Sequence, residues 1–231
     1  MTDQPKPARR VLVTGSSSGI GSAIAKRLYG EGWTVVGLDI IAAESAPWLH
    51  AQIIADLTQL QDLEQKVTPH SPFLALIHSA GFMRTAPLET LDTEDGRAMW
   101  SVHVQALTVL SKLLVPAMPA GGRVLAIGSR TSRGAAGRSQ YAAAKAAINA
   151  LIRSWAIELA PRGITANVIS PAATETPMLS DPSRADVRPV LPPIGRYIDS
   201  AEIAAYASFI LSPEAGAITG QDLLICGGSS L

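Results

Sequence analysis

Val11-Leu12-Val13-Thr14-Gly15-Ser16-Ser17-Ser18-Gly19-Ile20-Gly21 stands near the start of this 231-residue chain, and its reading decides the fold. Three apolar residues running into Thr14 and Gly15 predict a short buried strand. Ile20, Ala23, Ile24 and Leu28 then fall at helical spacing, so a helix opens directly behind the glycines. Glycines at such a join allow a tight turn and a close approach of a ligand to the backbone. The helix start adds free N–H groups and the positive end of its dipole, which suit phosphate. A glycine triplet alone is a weak signal; its place between a strand and a helix gives it weight.

Outward from this join, short β-rich runs recur. They are WTVVGLD (33–39), AQIIADL (51–57), FLALIHSAG (73–81), RVLAIGS (123–129), ITANVISP (164–171) and QDLLICGG (221–228). Helical patterns separate them: TQLQDLEQKV (58–67), a long stretch from about Asp92 to Met118, residues 139–160, and residues 200–212. The runs lack in/out alternation, as strands buried on both faces do. Alternating strands and helices imply right-handed βαβ units around a parallel sheet, an α/β fold. Residues 177–198 break the pattern with five prolines and are read as a functional loop, a lid over the site. Residues 1–8 read as a flexible tail, and residues 9–231 as one domain.

Composition narrows the function. Lys+Arg and Asp+Glu are both 19, a zero balance that argues against nucleic-acid binding. Hydrophobic residues at 47% and charged residues at 16% exclude a disordered chain. Cys226 is the single cysteine, so no intrachain disulfide or Cys-based zinc site forms, and no metal is expected. The polar start MTDQPKPARR has no signal-peptide core, and no apolar run reaches the ~18 residues of a membrane span, so a soluble, cytoplasmic protein is expected.

Asp39 ends the second strand, 20 residues after Gly19. An acid there accepts hydrogen bonds from the hydroxyls of an adenosine ribose and repels a 2′-phosphate, so it selects NAD over NADP. No Lys or Arg stands in the glycine loop or at 40–43 to receive that phosphate.

With these residues in place the chain resembles the short-chain dehydrogenase/reductase family, from Val11 to Gly228. The family motif T-G-x-x-x-G-x-G is met by Thr14, Gly15, Gly19 and Gly21. Asp56 stands where the family has an acid contacting adenine. His78-Ser79-Ala80-Gly81 stands where it has Asn-Asn-Ala-Gly, matching at Ala80 and Gly81 only. The resemblance implies a single Rossmann-type, doubly wound, seven-stranded sheet of order 3-2-1-4-5-6-7 with helices on both faces. The cofactor set it implies is Gly15, Ser17, Gly19, Ile20, Gly21, Asp39, Asp56, Leu57, Ala80, Gly81, Tyr141, Lys145, Pro171, Thr174 and Thr176.

Tyr141 and Lys145 lie four apart, which places them on one helix face. A phenol has an ordinary pKa of about 10, and a nearby ammonium favours its phenolate. Ser129 precedes Tyr141 by 12 residues, a gap one residue shorter than the family's usual one. By resemblance Tyr141 is the acid/base, Lys145 lowers its pKa and binds the nicotinamide ribose, and Ser129 orients the carbonyl. His103 falls where the family usually has an asparagine that holds a proton-relaying water. An imidazole can donate and accept, so it either holds the same water or is a plain buried helix residue. Pro171-Ala172-Ala173-Thr174-Glu175-Thr176 stands where the family has Pro-Gly-x-x-x-Thr, which binds the nicotinamide carboxamide.

Arg84, Arg130, Arg133 and Arg138 lie near these motifs in sequence, and guanidinium groups in a cleft favour planar anions. Met178 and Leu179 suit an apolar wall. Three functions stay open: an NAD-dependent dehydrogenase of a secondary alcohol or its ketone, with a small, polar or anionic substrate; a 3-oxoacyl-thioester reductase, which the segment RGITANVISPAATETPM resembles; and a non-catalytic NAD-sensing regulator. Apolar residues spread around the helices at 92–118 and 139–160 predict a homotetramer or homodimer pairing through them.

Overall fold

The computed structural model describes residues 9–182 and 189–231. The expected tail at 1–8 and the centre of the expected lid, residues 183–188, lie outside the described residues.

Seven strands form one parallel sheet. They are β1 Arg10–Thr14, β2 Thr34–Asp39, β3 Ala51–Ile54, β4 Ala75–His78, β5 Arg123–Ile127, β6 Thr165–Pro171 and β7 Asp222–Ile225, in the order β3-β2-β1-β4-β5-β6-β7. Every pairing is parallel, with Thr14 beside Leu38 on one flank and beside His78 on the other. The order reverses between β1 and β4, where both neighbouring connections leave in opposite directions. Such a switch point opens a crevice at the C-terminal ends of the strands.

Helices α1 Gly19–Gly30 and α6 Ser200–Leu211 cover one face. There Val11, Val13, Val35 and Ile77 pack against Ile24, Leu28, Ile203 and Ile210. Helices α2 Leu63–Val67, α3 Thr93–Trp100, α4 Ala106–Leu114 and α5 Ser139–Leu159 lie on the other side. Leu12, Leu76, Val124 and Val168 meet Leu107, Leu110, Ile148 and Ile152 there. Adjacent strand residues thus serve opposite cores, which is why the strands read as unbroken apolar runs.

Two helices differ from expectation. Of residues 58–67 only Leu63–Val67 is helical, because the Asp56 carboxylate accepts from the Thr58 N–H and hydroxyl, both at 2.8 Å, and holds a turn instead. The expected continuous helix from Asp92 to Met118 is interrupted at Ser101–Gln105 by a π-helical turn carrying His103. The combined run Thr93–Ala117 is by length and composition apolar enough to span a bilayer. Half of it is buried within the protein, as in a core helix.

The segment expected as a lid begins with a 3₁₀ turn at Pro177–Ser180. Its far end comes back beside the residues that follow β6, where Ile198 forms an isolated parallel bridge with Thr174.

Candidate active site

A cleft of about 710 Å³ opens over the C-terminal strand ends. It runs from Gly15, Gly19, Ile20 and Gly21 past Asp39, Asp56 and Leu57, along Ala80 and Gly81, to Ser129, Tyr141 and Lys145, and is closed by Pro171, Thr174 and Thr176. His103 also lines it. The structure therefore brings together every residue of the expected cofactor and catalytic sets except Ser17.

Ser17 acts one step behind the cleft. Its N–H donates to Asp39 Oδ2 at 2.9 Å, while the Ile40 N–H donates to Oδ1 at 2.8 Å. These bonds fix the carboxylate at the end of β2, where Asp39 lines the cleft. The glycine loop fits a ligand at backbone distance. Gly15 holds φ of +68°, and a Cβ there would come within 2.9 Å of Ala80 Cα. A Cβ on Gly21 would come within 2.1 Å of the Gly15 carbonyl oxygen, so α1 starts tight against the loop. Gly19, Ile20 and Gly21, the first residues of α1, line the cleft, and no side chain caps the helix start, a setting that suits phosphate.

At the other end, α5 carries Tyr141 and Lys145 one turn apart, both buried. The Lys145 ammonium donates to the Ile127 carbonyl at 2.7 Å and lies 5.6 Å from the centre of the Tyr141 ring. Burial disfavours the charged amine and pulls its pKa down to about 7. Ser129 follows β5, and its hydroxyl meets the Thr131 hydroxyl at 2.8 Å and accepts the Thr131 N–H at 3.2 Å. Thr131 therefore sets the Ser129 rotamer and lines the cleft itself, a role the sequence reading did not assign. Met83, Met99 and Tyr141 form an apolar cluster with Phe82 and Met178, so the tyrosine sits against an apolar wall.

The four arginines divide. Arg130 and Arg138 line the cleft. Arg133 is exposed at the end of the 3₁₀ turn Arg130–Arg133 and does not line it. Arg84 is not a lining residue either; it stacks 5.1 Å over the Phe82 ring and pairs with Asp95 at 3.9 Å and with Asp181 at 3.7 Å. Proximity in sequence misled here because the chain turns away from the cleft directly after Met83 and after Thr131.

His78 and His103 are both fully buried. Burial, reinforced by the Lys145 charge, lowers the His78 pKa to about 3 and holds His103 well below the ordinary 6.5. Above the unfolded pKa of 6.5 both states are neutral and neither histidine penalises folding. Below it the unfolded chain takes up protons that the folded one refuses, so stability is lost from there down toward the folded pKa of about 3. Each refused proton removes about 1.4 kcal/mol per pH unit. Urea unfolding at about pH 7 and at about pH 5 should therefore show a steep loss that is shallower in His78→Asn. Equal losses in both proteins would show that His78 is not the group responsible.

A parallel sheet with a glycine loop at its switch point, joined in one cleft to a serine and a Tyr–Lys pair, defines an oxidoreductase of dinucleotide-binding fold that acts on CH–OH or keto groups. The chain belongs to the short-chain dehydrogenase/reductase family. Residues 15–230 match the family profile described as enoyl-(acyl carrier protein) reductase. The chain is 34% identical to the 3-oxoacyl-(acyl-carrier-protein) reductase FabG of Escherichia coli strain K12, over 94% of this chain and 95% of that one. It is 30% identical to the (2S)-((R)-hydroxy(phenyl)methyl)succinyl-CoA dehydrogenase subunit BbsD of Thauera aromatica, over 96% of this chain and 97% of that one. Among solved structures, a short chain dehydrogenase from Burkholderia cenocepacia in complex with NADP superimposes with a TM-score of 0.88 at 33% identity, covering 97% of this chain and 98% of that one.

Proposed function

We propose that this protein is an NAD-dependent oxidoreductase that transfers hydride between a secondary alcohol, or its ketone, and a nicotinamide cofactor. One observation carries the reading: a single cleft holds Ser129, Tyr141 and Lys145 at one end and the fixed Asp39 carboxylate at the other. A nicotinamide dinucleotide bound there supplies or accepts the hydride. Tyr141 takes the hydroxyl proton in oxidation and returns it in reduction. Ser129 donates its hydroxyl hydrogen to the same substrate oxygen. Lys145, anchored on Ile127, provides the positive charge that favours the phenolate and would hold the ribose of a bound cofactor.

The choice of NAD rests on Asp39. The cationic groups that line the cleft among the described residues, Arg130, Arg138 and Lys145, all belong to the β5–α5 end. The Burkholderia relative holds NADP, so this is the part of the reading that needs its own test. Titration should show NADH bound at least about tenfold more tightly than NADPH, the size of one lost charge-assisted bond plus repulsion. Asp39→Ala should narrow that preference. Tighter NADPH binding by the native protein would overturn the assignment.

Arg130 and Arg138 at the cleft favour a polar or anionic substrate, with Met83 and Met178 against its apolar part. A second reading, 3-oxoacyl-thioester reduction, is favoured by the name of the Escherichia coli relative. Turnover on hydroxy acids, polyols and 3-oxoacyl thioesters separates the two. A cofactor-sensing regulator would bind NADH and turn over none of them.

A cytoplasmic homotetramer, or homodimer, completes the reading. Most of the apolar residues that prompted it, including Leu107, Leu110, Ile148 and Ile152, serve the core. The surface argument reduces to Ile157, 79% exposed, Trp100, 42% exposed, and the partly buried Val109, Leu113, Leu151 and Trp155. Light scattering at micromolar concentration should give a multiple of the 24.2 kDa chain mass. A monomer would sink this part.

A further inference from the structure

The floor of the cleft is held from below by two histidines whose proton positions the hydrogen bonds determine. Thr14 Oγ1 accepts the Ser79 N–H at 3.1 Å and the Ala80 N–H at 3.0 Å. With both acceptor sites filled, the hydroxyl hydrogen goes to His78 Nδ1, 3.1 Å away. His78 therefore carries its own proton on Nε2 and donates it to the Val102 carbonyl at 3.0 Å. His103, the next residue, donates in the opposite direction, from Nε2 to the Phe82 carbonyl at 2.8 Å. A carbonyl only accepts, so this imidazole too is the Nε2–H form. Each ring thus bonds the segment that carries the other ring.

The packing around this pair has no slack. A Cβ on Gly81 would lie 2.2 Å from His103 Cε1, and a Cβ on Gly15 would lie 2.9 Å from Ala80. On its far side the His103 ring meets the Tyr141 ring edge-on, centres 5.4 Å apart. Glycine loop, β4 turn, His103 and Tyr141 therefore touch in series. The π-helical turn at Ser101–Gln105 belongs to the same device, since a side chain reaching a helix carbonyl is one cause of such local widening.

We propose that His78 and His103 are positioning residues that form a reciprocal clasp, setting the depth of the turn Ala80–Gly81–Phe82 between the glycine loop and Tyr141. The kinetic consequence rests on the hydride-transfer reading above; the tautomers and the packing do not. If the clasp loosens, the turn that borders the cofactor shifts against the catalytic ring. A misplacement of about 1 Å at a reacting centre is enough to lower a rate about 100-fold.

The test has two arms, both on the full chain. In nitrogen-15 NMR of the histidine rings, two of the four histidines should be neutral Nε2–H forms that do not titrate between about pH 8 and about pH 5. His78→Asn and His103→Asn identify them, and the charge facing both rings is that of Lys145 on α5. Nδ1–H forms, or titration near the ordinary histidine value, would overturn the clasp whatever the enzyme does. In the second arm Gly81→Ala should lower kcat at least about tenfold by pressing on the imidazole, and His103→Ala added to it should restore part of that loss. Simple addition of the two losses, or an unaffected Gly81→Ala, would reduce the histidines to fold stability alone and overturn their positioning role. Absence of turnover on every alcohol tested, with the NMR result as expected, would refute the functional reading and leave the clasp standing.

Discussion

Tyr141→Phe is expected to lose about 10²–10⁴-fold in kcat while binding NADH as the native protein does, because only the proton-transferring oxygen is removed. The phenyl ring keeps its place against His103, Met83 and Met99, so the cleft wall is unchanged. KM for the alcohol should move less than kcat, since the lost interaction is one that matters at proton transfer. Fluorescence titration with NADH and steady-state kinetics on one alcohol measure both. Near-native turnover by the variant would end the assignment of roles.

Lys145→Met should separate stability from function. The amine is buried, and that burial brings its pKa down from 10.5 to about 7. Between those values the unfolded chain holds a proton that the folded protein holds weakly, so the native lysine lowers stability as pH falls through this window. Methionine fills similar volume without charge, and Tm at about pH 7 should rise despite loss of the bond to Ile127. Activity should fall by at least about 100-fold, because the phenolate loses its cation and the ribose a contact. Thermal unfolding and kcat on the same preparation decide it. A variant that is both less stable and still active would contradict the role.

What the sequence could show follows from the range of its signals. The inner strands are legible because both sheet faces are buried there, leaving unbroken apolar runs, while the edge strands β3 and β7, only partly buried, are legible as short apolar runs. Gly15, Gly19, Gly21, Asp39, Ser129, Tyr141 and Lys145 are legible because each sits at an element end whose type the pattern already shows. The π-helical turn is not, since the bond that its Val102 carbonyl accepts from His78 on β4 joins residues 24 apart in the chain. A linear reading shows His78 only as a mismatch to the asparagine that the resemblance implies there. In the fold that side chain joins β1, β4 and the helix below the cleft. Arg84 and Arg133 were misplaced for the converse reason: nearness along the chain says nothing about which way a loop turns. Thr131 left a weak signal, a hydroxyl two residues after Ser129, which only the 2.8 Å contact turns into a role.

The central claim is that one proton-transferring unit, Tyr141 with Lys145, governs oxidation of an alcohol in this cleft. The most direct test is kcat against pH in the oxidative direction with saturating NAD, for the native enzyme and for Tyr141→Phe. The two groups are coupled, so a single apparent ionisation belongs to the pair. The native rate should rise with pH through that one ionisation and level off, and the residual rate of Tyr141→Phe should show no such rise. The same rise persisting in Tyr141→Phe would contradict the account.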